Sequence, residues 1–197
     1  LYLVRLAELK NKLIKCEILS SKKNDIVSPL KIHLGQSLVK GNGFDVILRK
    51  AVELGAHSIS PLLTERSVIK SDSDKKIIRW KKIAEESSKQ CGRSSIPKIS
   101  NSIVKLETFC QQASDSDLKL IFWEMENKKR LRDINTETAP RSVSVLIGPE
   151  GGFTQEEVET ARSYGFHSLR LGPRIFRAET APLVVLSLLQ AKWGDIG

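Results

Sequence analysis

Alternating apolar and polar positions open the chain, and longer apolar runs follow. Residues 2–19 partly alternate around a polar pair at 11–12, which predicts a two-stranded hairpin. An isolated hairpin is only marginally stable in water, so we expect it to be the remainder of a small β domain. The polar segment 20–29, which contains Asp25 and Pro29, predicts a linker.

After residue 30 the chain alternates between strand and helix patterns. Short apolar runs predict strands at 31–34, 59–63, 118–123, 143–148 and 168–172. Helical spacing and capping residues, with Thr180 as the last cap, predict helices at 43–54, 74–91, 154–165 and 181–193. This alternation predicts an α/β fold, with a mostly parallel sheet and helices on both faces.

Charge indicates the type of partner. The 197-residue chain has 32 Lys and Arg against 23 Asp and Glu, a net charge of +9. Nine basic and five acidic residues lie between Glu65 and Arg93. A basic surface also aids solubility, but this local excess makes nucleic acid the first partner to consider. Because the chain begins at Leu1, inside a predicted strand, we expect a longer N-terminus.

Several other classes of protein are disfavoured by the sequence. No apolar run approaches the ~18 residues of a membrane span. The cysteines and histidines lie far apart, without the spacings of a disulfide framework or a metal site, so we predict reduced thiols and no metal. We expect Trp80 and Trp123 to be core residues, because both lie in apolar patterns. The scattered residues are Cys16, Cys91, Cys110, His33, His57 and His167.

Two glycine turns carry the candidate chemistry. Residues 145–154 form a buried strand, a Gly-Pro-Glu-Gly-Gly turn and a capped helix, without the glycine signatures of dinucleotide enzymes, P-loop NTPases or α/β-hydrolases. Residues 169–182 repeat this order and place Arg174, Arg177 and Glu179 within six residues. Arg177 and Glu179 either form a simple pair at the helix start or belong to a charged pocket.

Together these turns resemble a known signature. LIGPEGGFTQEEVE followed by LGPRIFRAETA resembles the ribosomal RNA uridine-N3 methyltransferases, the RsmE family of the trefoil-knotted SPOUT superfamily. Segments 49–55, 61–67, 79–80 and 89–93 agree with it, whereas Phe176 and Ala178 stand where we expect Leu and Thr. The resemblance implies a remnant of a PUA-like β-barrel with a linker at 1–28, and a knotted methyltransferase domain at 29–197.

The resemblance also implies S-adenosylmethionine as the cofactor. Gly148, Gly151 and Gly152 would allow close approach of the backbone, and Leu171, Gly172 and Ile175 would form a wall for the adenine. The full set of expected cofactor-binding residues is Glu124, Ile147, Gly148, Pro149, Glu150, Gly151, Gly152, Leu171, Gly172, Ile175 and Phe176.

The implied reaction is methylation of N3 of a uridine in small-subunit (16S) ribosomal RNA. Arg177 would stabilise the negative charge on the uracil, and Glu179 would orient Arg177 or accept the N3 proton. Four cations are expected to contact the RNA or the 30S subunit: Lys50, Arg66, Arg93 and Arg174. The family further implies a cytoplasmic homodimer. The last helix is apolar on nearly all sides, which fits such an interface and equally fits a helix fully buried within one chain.

Two functions of other classes remain open from the residues alone. The chain could be a non-catalytic RNA-binding or ribosome-assembly module that keeps the fold. It could also be an α/β enzyme for an anionic small molecule, whose positive charge steers the substrate. A charged pair beside a cofactor loop favours the methyltransferase, because a simple binding module has no need of it.

Overall fold

The computed structural model describes residues 2–11, 13–21, 27–67 and 73–197. The strands are β1 (Tyr2–Lys10), β2 (Leu13–Ser21), β3 (Lys31–Ser37), β4 (Ala56–Leu63), β5 (Lys98–Ile99), β6 (Val104–Lys105), β7 (Leu118–Phe122), β8 (Ser142–Ile147) and β9 (His167–Leu169). The helices are α1 (Gly43–Glu53), α2 (Ser73–Gln90), α3 (Leu106–Gln112), α4 (Gln155–Ser163) and α5 (Thr180–Trp193), with a 3-10 turn at Leu131–Asp133.

Strands β3 to β9 form one parallel sheet. Its order is β5-β4-β3-β8-β7-β9, and β6 also pairs with β4. Each pairing is parallel, with Leu34 opposite Val145 and Leu120 opposite the same residue on the other side. The predicted α/β class with a mostly parallel sheet is confirmed. All the strands therefore end at one edge, where loops can converge on a ligand.

The two faces of the sheet are buried under different helices. Val143, Val145 and Ile147 of β8 pack with residues of α1, α2 and α5. Leu146, which points to the opposite face, packs with residues of α3 and α4. Burial on both faces explains why most residues of β7 and β8 are apolar. The buried polar side chain of Ser144 is satisfied by a hydrogen bond to the Ser116 hydroxyl at 2.7 Å.

Helix α2 offers a matched test of this packing. Ile77 is 4% exposed in the core, whereas its neighbour Ile78 is 70% exposed. We expect Ile77→Ala to lower the free energy of unfolding by roughly 2–5 kcal/mol, because it removes buried methyl groups and leaves a cavity. Ile78→Ala is the control and should cost less than about 1 kcal/mol. Urea unfolding measures both, and equal losses would contradict the assigned core face.

The hairpin at the start of the chain lies apart from this sheet. β1 and β2 pair antiparallel with Lys10 opposite Leu13, and Asn11 takes the positive φ of 51° in the turn. Both strands are exposed along nearly their whole length, apolar residues included. The predicted hairpin is therefore confirmed. Of the predicted linker, residues 22–26 lie outside the described part of the chain.

Some predicted elements differ from the observed ones. Helix α3 and strands β5 and β6 were not predicted, because two to seven residues are too few to show a period. The predicted strand 168–172 ends at Leu169, since the next residues leave the sheet to form a loop. Thr180 is the first residue of α5 rather than its cap; Glu179 occupies the cap position and no side chain there bonds the helix.

Two histidines lie side by side near the amino-terminal ends of β3 and β4. The rings of His33 and His57 meet edge to face with centroids 5.3 Å apart, and His33 Nδ1 lies 2.8 Å from Ser58 Oγ. Burial is the largest cause that lowers the pKa of both imidazoles. The charges of Lys31 and Lys98 lower both pKa values further, and the neighbouring His57 ring also lowers that of His33, as Arg93 does that of His57.

These lowered pKa values make stability depend on pH. The unfolded histidines take up protons near pH 6.5, before the folded ones do. The stability that the two neutral histidines give the folded state is therefore fully present above pH 6.5. It is lost as the pH falls through their folded pKa values. We expect the double variant His33→Gln/His57→Gln to show a flatter decline in unfolding free energy than the wild type as the pH falls below 6.5. Parallel slopes in urea titrations would refute this.

Within the ranges described, no three His, Cys, Asp or Glu side chains lie together as a metal site would require. No helix in those ranges is long and apolar enough to cross a membrane.

Candidate functional site

A cleft lies at the carboxyl ends of three neighbouring strands. The loops that follow β7, β8 and β9 enclose about 260 Å³. This volume is close to the lower bound of roughly 300 Å³ for small-molecule sites. The position is the one at which open parallel sheets usually bind their ligands.

The turn after β8 forms the floor of the cleft. Gly152 has a φ of +68°, and a Cβ atom there would run into the carboxylate of Glu124. At Gly148 a Cβ atom would lie 3.3 Å from the Gly152 backbone. Gly151 does not have a positive φ, so Gly152 alone supplies the left-handed conformation expected of the glycine pair. The turn thus brings bare backbone to the cleft.

Hydrogen bonds fix this turn from both sides. The backbone N–H of Lys40, in the loop after β3, donates to Glu150 Oε1 at 2.8 Å. Arg66 Nη1 donates to the Gly151 carbonyl oxygen at 2.8 Å. The next helix begins with the predicted capping box, in which Thr154 and Glu157 each accept the other's backbone N–H. The turn is therefore held by its neighbours on either side and by its own helix.

The loop after β9 forms the second wall. Arg170 Nε donates to the Gly172 carbonyl oxygen at 2.5 Å, and Arg170 Nη2 donates to that of Pro173 at 3.3 Å. Ile175 is 84% exposed at the mouth of the cleft. An apolar side chain so exposed beside a cleft is well placed to cover an apolar part of a ligand.

The loop after β7 forms the third wall. Trp123 Nε1 donates to the Phe153 carbonyl oxygen at 3.3 Å, and the guanidinium of Arg162 lies 6.0 Å from the centre of its ring. Trp123 is half-buried, packs against the core cluster on the α3 and α4 face and also lines the cleft, so the prediction that it is a core residue is confirmed in part, whereas Trp80 is fully buried in the core. The position of Trp123 directly after β7 could have indicated that it lines the cleft.

The structure brings every residue of the expected cofactor site to this cleft, although the residues come from three separate segments. The lining also includes six residues outside the expected cofactor set, and one of them, Arg174, was expected to contact RNA. Arg170 belongs to the glycine-turn segment and its position at a strand end was the available signal. The lining residues are Phe122, Trp123, Glu124, Ile147, Gly148, Pro149, Glu150, Gly151, Gly152, Arg170, Leu171, Gly172, Arg174, Ile175, Phe176, Ala178 and Ala181.

The two expected catalytic residues lie at the start of α5, beside the cleft. Arg177 and Glu179 flank Ala178, which lines it. The Arg177 carbonyl oxygen accepts the N–H groups of the first two residues of α5, and its side chain is exposed. The Glu179 side chain lies against Gly43, whose added Cβ would be 3.2 Å from Glu179 Cγ. In the described part of the chain no salt bridge joins Arg177 to Glu179.

The four expected RNA contacts do not gather in one place. Arg174 lines the cleft with its side chain exposed, and Arg66 holds the glycine turn. Lys50 bonds Glu53 on the surface of α1 at 2.8 and 3.0 Å. Arg93 donates to two backbone carbonyl oxygens, those of Val52 and Ala56, and is half-buried. Lys50 and Arg93 are therefore outside the cleft.

Comparison with known sequences gives a consistent family. Residues 27–190 match the family model of an RNA methyltransferase domain. The ribosomal RNA small subunit methyltransferase E of Buchnera aphidicola (strain APS) is 33% identical over 201 residues, which cover 99% of this chain and 77% of that protein. The Bacillus subtilis protein of the same name is 34% identical over 186 residues, covering 89% and 72%.

Solved structures agree with the sequences. Ribosomal RNA small subunit methyltransferase E from Neisseria gonorrhoeae, bound to S-adenosyl methionine, superposes with a TM-score of 0.90 at 33% identity, covering all of this chain and 80% of that one. A Legionella pneumophila protein solved with bound SAM gives 0.88 at 38% identity, covering 98% and 79%. This chain belongs to the RNA methyltransferase domain family and, within it, to the ribosomal RNA small subunit methyltransferase E proteins.

Proposed function

We propose that this protein methylates N3 of a uridine in small-subunit ribosomal RNA, with S-adenosylmethionine as the methyl donor. The observation that carries the proposal is that the two glycine turns, at 145–154 and 169–182, converge on one cleft at the ends of parallel strands. The two segments that resemble the family signature, 146–159 and 171–181, are separated by the rest of helix α4 and by strand β9 in the sequence, and residues of both line the same cleft. Two solved relatives hold the same cofactor.

The residues of the cleft fit the cofactor. Adenine needs flat apolar walls, which Leu171, Ile175 and Phe176 provide. The polar parts need hydrogen bonds from backbone groups, which approach closely only where side chains are absent, as at Gly148 and Gly152. When bound, S-adenosylmethionine supplies an electrophilic methyl group. The residues of this chain then have to present the uracil and manage its proton.

Arg177 and Glu179, beside the cleft, suit this task. Uracil N3 carries a proton at neutral pH, so its removal leaves negative charge on the two carbonyl oxygens. Arg177, exposed at the start of α5, would hold that charge with its guanidinium. Glu179 would accept the proton or orient Arg177 from its place against Gly43. The N3 edge takes part in base pairing, so the uridine must be unpaired or flipped out.

Basic residues would hold the RNA backbone around this site. Arg174 is the nearest candidate, since it lies exposed on the cleft itself. Lys50, Arg66 and Arg93 remain proposed contacts with the small-subunit RNA or the assembled 30S subunit, although the present bonds of Arg66 and Arg93 also give them structural roles. Phosphate binding draws on several cations together, so single substitutions among them should weaken binding by modest steps.

We further propose the knotted topology and the two-domain division at 1–28 and 29–197. A trefoil knot passes the last helix through a preceding connection. Here Lys192 of α5 donates to the carbonyl oxygens of Leu131 and Ile134 in the connection between β7 and β8, at 3.4 and 3.1 Å. The exposed apolar hairpin β1–β2 fits a remnant of a PUA-like barrel, because its faces lack a covering layer.

The proposed assembly is a homodimer in the cytoplasm, where ribosomal RNA is its substrate. Helix α5 buries Val185, Leu186 and Leu189 within the chain and still leaves Leu188 exposed. Val46, on the neighbouring helix α1, is also exposed. These side chains are more apolar than a solvated surface needs, as is expected where a second copy packs.

Calorimetry with S-adenosylmethionine tests the cofactor, and transfer of a labelled methyl group to small ribosomal subunits tests the reaction. We expect saturable binding and labelled RNA. Binding without transfer to RNA would favour an enzyme for another substrate. RNA binding without cofactor binding would favour a ribosome-assembly module, and either outcome would overturn the proposal.

A further inference from the structure

A partly buried carboxylate, that of Glu126, lies in the loop after β7 and outside the lining of the cleft. The Glu126 side chain is 10% exposed in the loop that follows β7. Its Oε1 accepts the backbone N–H groups of Lys128 and Lys129, at 3.0 and 3.4 Å. Its Oε2 accepts Arg162 Nη2 at 3.3 Å, and the Ser168 hydroxyl in a very short bond. One carboxylate therefore joins its own loop to β9 and α4.

The bonds continue from Glu126 into the second wall of the cleft. The Lys129 carbonyl oxygen accepts the Arg170 N–H at 2.8 Å, and Arg130 pairs with Arg170 in a short parallel bridge. The Arg170 guanidinium in turn holds the carbonyl oxygens of Gly172 and Pro173. The loop after β7 and the loop after β9 are thus joined through contacts that begin at Glu126.

We propose that Glu126 is a positioning residue for the cofactor cleft, which holds the wall containing Glu124 at a fixed spacing from the wall containing Arg170 and Leu171. Glu126 does not line the cleft. It acts through Lys129 and Arg170 on one side. On the other side it acts through Arg162, which lies over the ring of Trp123. This inference rests on the proposed function, because it takes the ligand of the cleft to be S-adenosylmethionine.

The negative charge is the essential property of this side chain. Burial alone raises the pKa of Glu126, but the bonds from Ser168, Lys128 and Lys129 and the charge of Arg162 outweigh it and leave the pKa below its usual value. A neutral amide would keep the shape of the side chain. Its NH₂ group, however, would face the Ser168 hydroxyl or Arg162, and the charge-assisted bonds would be lost.

The test compares Glu126→Gln with Glu159→Gln. Glu159 is an exposed carboxylate on α4 that bonds only Gln155 among the described contacts of its side chain. For Glu126→Gln we expect the Kd for S-adenosylmethionine to rise about tenfold, as befits one or two lost charge-assisted bonds. The KM for S-adenosylmethionine should rise with it, while the KM for the ribosomal subunit changes less than about twofold. Glu159→Gln should match the wild type.

A second variant separates positioning from folding. Arg162→Met removes the cation that faces Glu126 without changing the loop itself, and a thermal unfolding curve shows whether each variant is folded. If Glu126→Gln does not fold, Arg162→Met should still raise the Kd for the cofactor by several-fold. Folded variants with wild-type cofactor affinity, or equal rises in both KM values, would overturn the inference. Failure of the wild type to bind S-adenosylmethionine would instead contradict the proposed function.

Discussion

Arg177→Ala is expected to lower kcat for methyl transfer by about 100-fold or more, while the protein keeps its fold and its affinity for S-adenosylmethionine. Loss of one donor to a developing oxyanion typically costs about 10²–10³ in rate. The Arg177 side chain is exposed and does not line the cleft, so its removal leaves the cofactor contacts in place. Single-turnover transfer of labelled methyl groups, with calorimetry for the cofactor, measures both quantities.

Arg174→Ala provides the matched control. Arg174 lies three residues earlier in the same loop and is also exposed. If Arg174 only contacts RNA, its loss should raise the KM for the ribosomal subunit and leave kcat within a few-fold of the wild type. Near-normal turnover by Arg177→Ala would show that the charge on the uracil is stabilised elsewhere.

Gly152→Ala is expected to weaken cofactor binding by at least about 30-fold. The left-handed conformation costs an L-residue roughly 1–2 kcal/mol, and the new methyl group would also displace the Glu124 carboxylate, which lines the cleft. The backbone strain and the displaced carboxylate both act on the turn that would hold the cofactor, so both should weaken its binding. Calorimetry with S-adenosylmethionine measures the change in Kd.

Gly92→Ala separates strain from obstruction. Gly92 has a φ of +74°, and a Cβ there would have no neighbour within 4 Å. Gly92→Ala should lose stability through the same backbone strain as Gly152→Ala, but it should bind the cofactor as the wild type does. Gly151→Ala should have a smaller effect than Gly152→Ala, because Gly151 lacks a positive φ and its Cβ would meet the side chain of Arg66 at 3.1 Å. Equal affinities of the Gly152 variant and the wild type would mean that the turn faces away from the ligand.

The sequence predicted the parts of the fold whose signals are local and strong. The apolar runs of β7 and β8 and the capping box at Thr154 each specify an element without help from distant residues. Helix α3 has only seven residues, and its position depends on packing against β4, β6 and α4. No local pattern of that length distinguishes a helix from a buried loop.

The candidate site shows the same division. The two glycine turns were visible because glycine, proline and charged residues interrupt apolar runs. The role of Arg66 was not visible, since its bond to Gly151 joins residues that are 85 positions apart. The same reason applies to Glu126, which is one acid among many in the sequence and gains its role only when β9 and α4 pack around it. Long-range partners are set by topology.

The position of the new methyl group tests the central claim most directly. Small ribosomal subunits that lack this modification are incubated with the protein and S-adenosylmethionine, and the RNA is then digested to nucleosides for mass spectrometry against standards. We predict 3-methyluridine, formed by the wild type and nearly absent with Arg177→Ala. A methyl group on C5 of the base or on the ribose, or no methylated nucleoside at all, would contradict the assignment of N3 chemistry to this cleft.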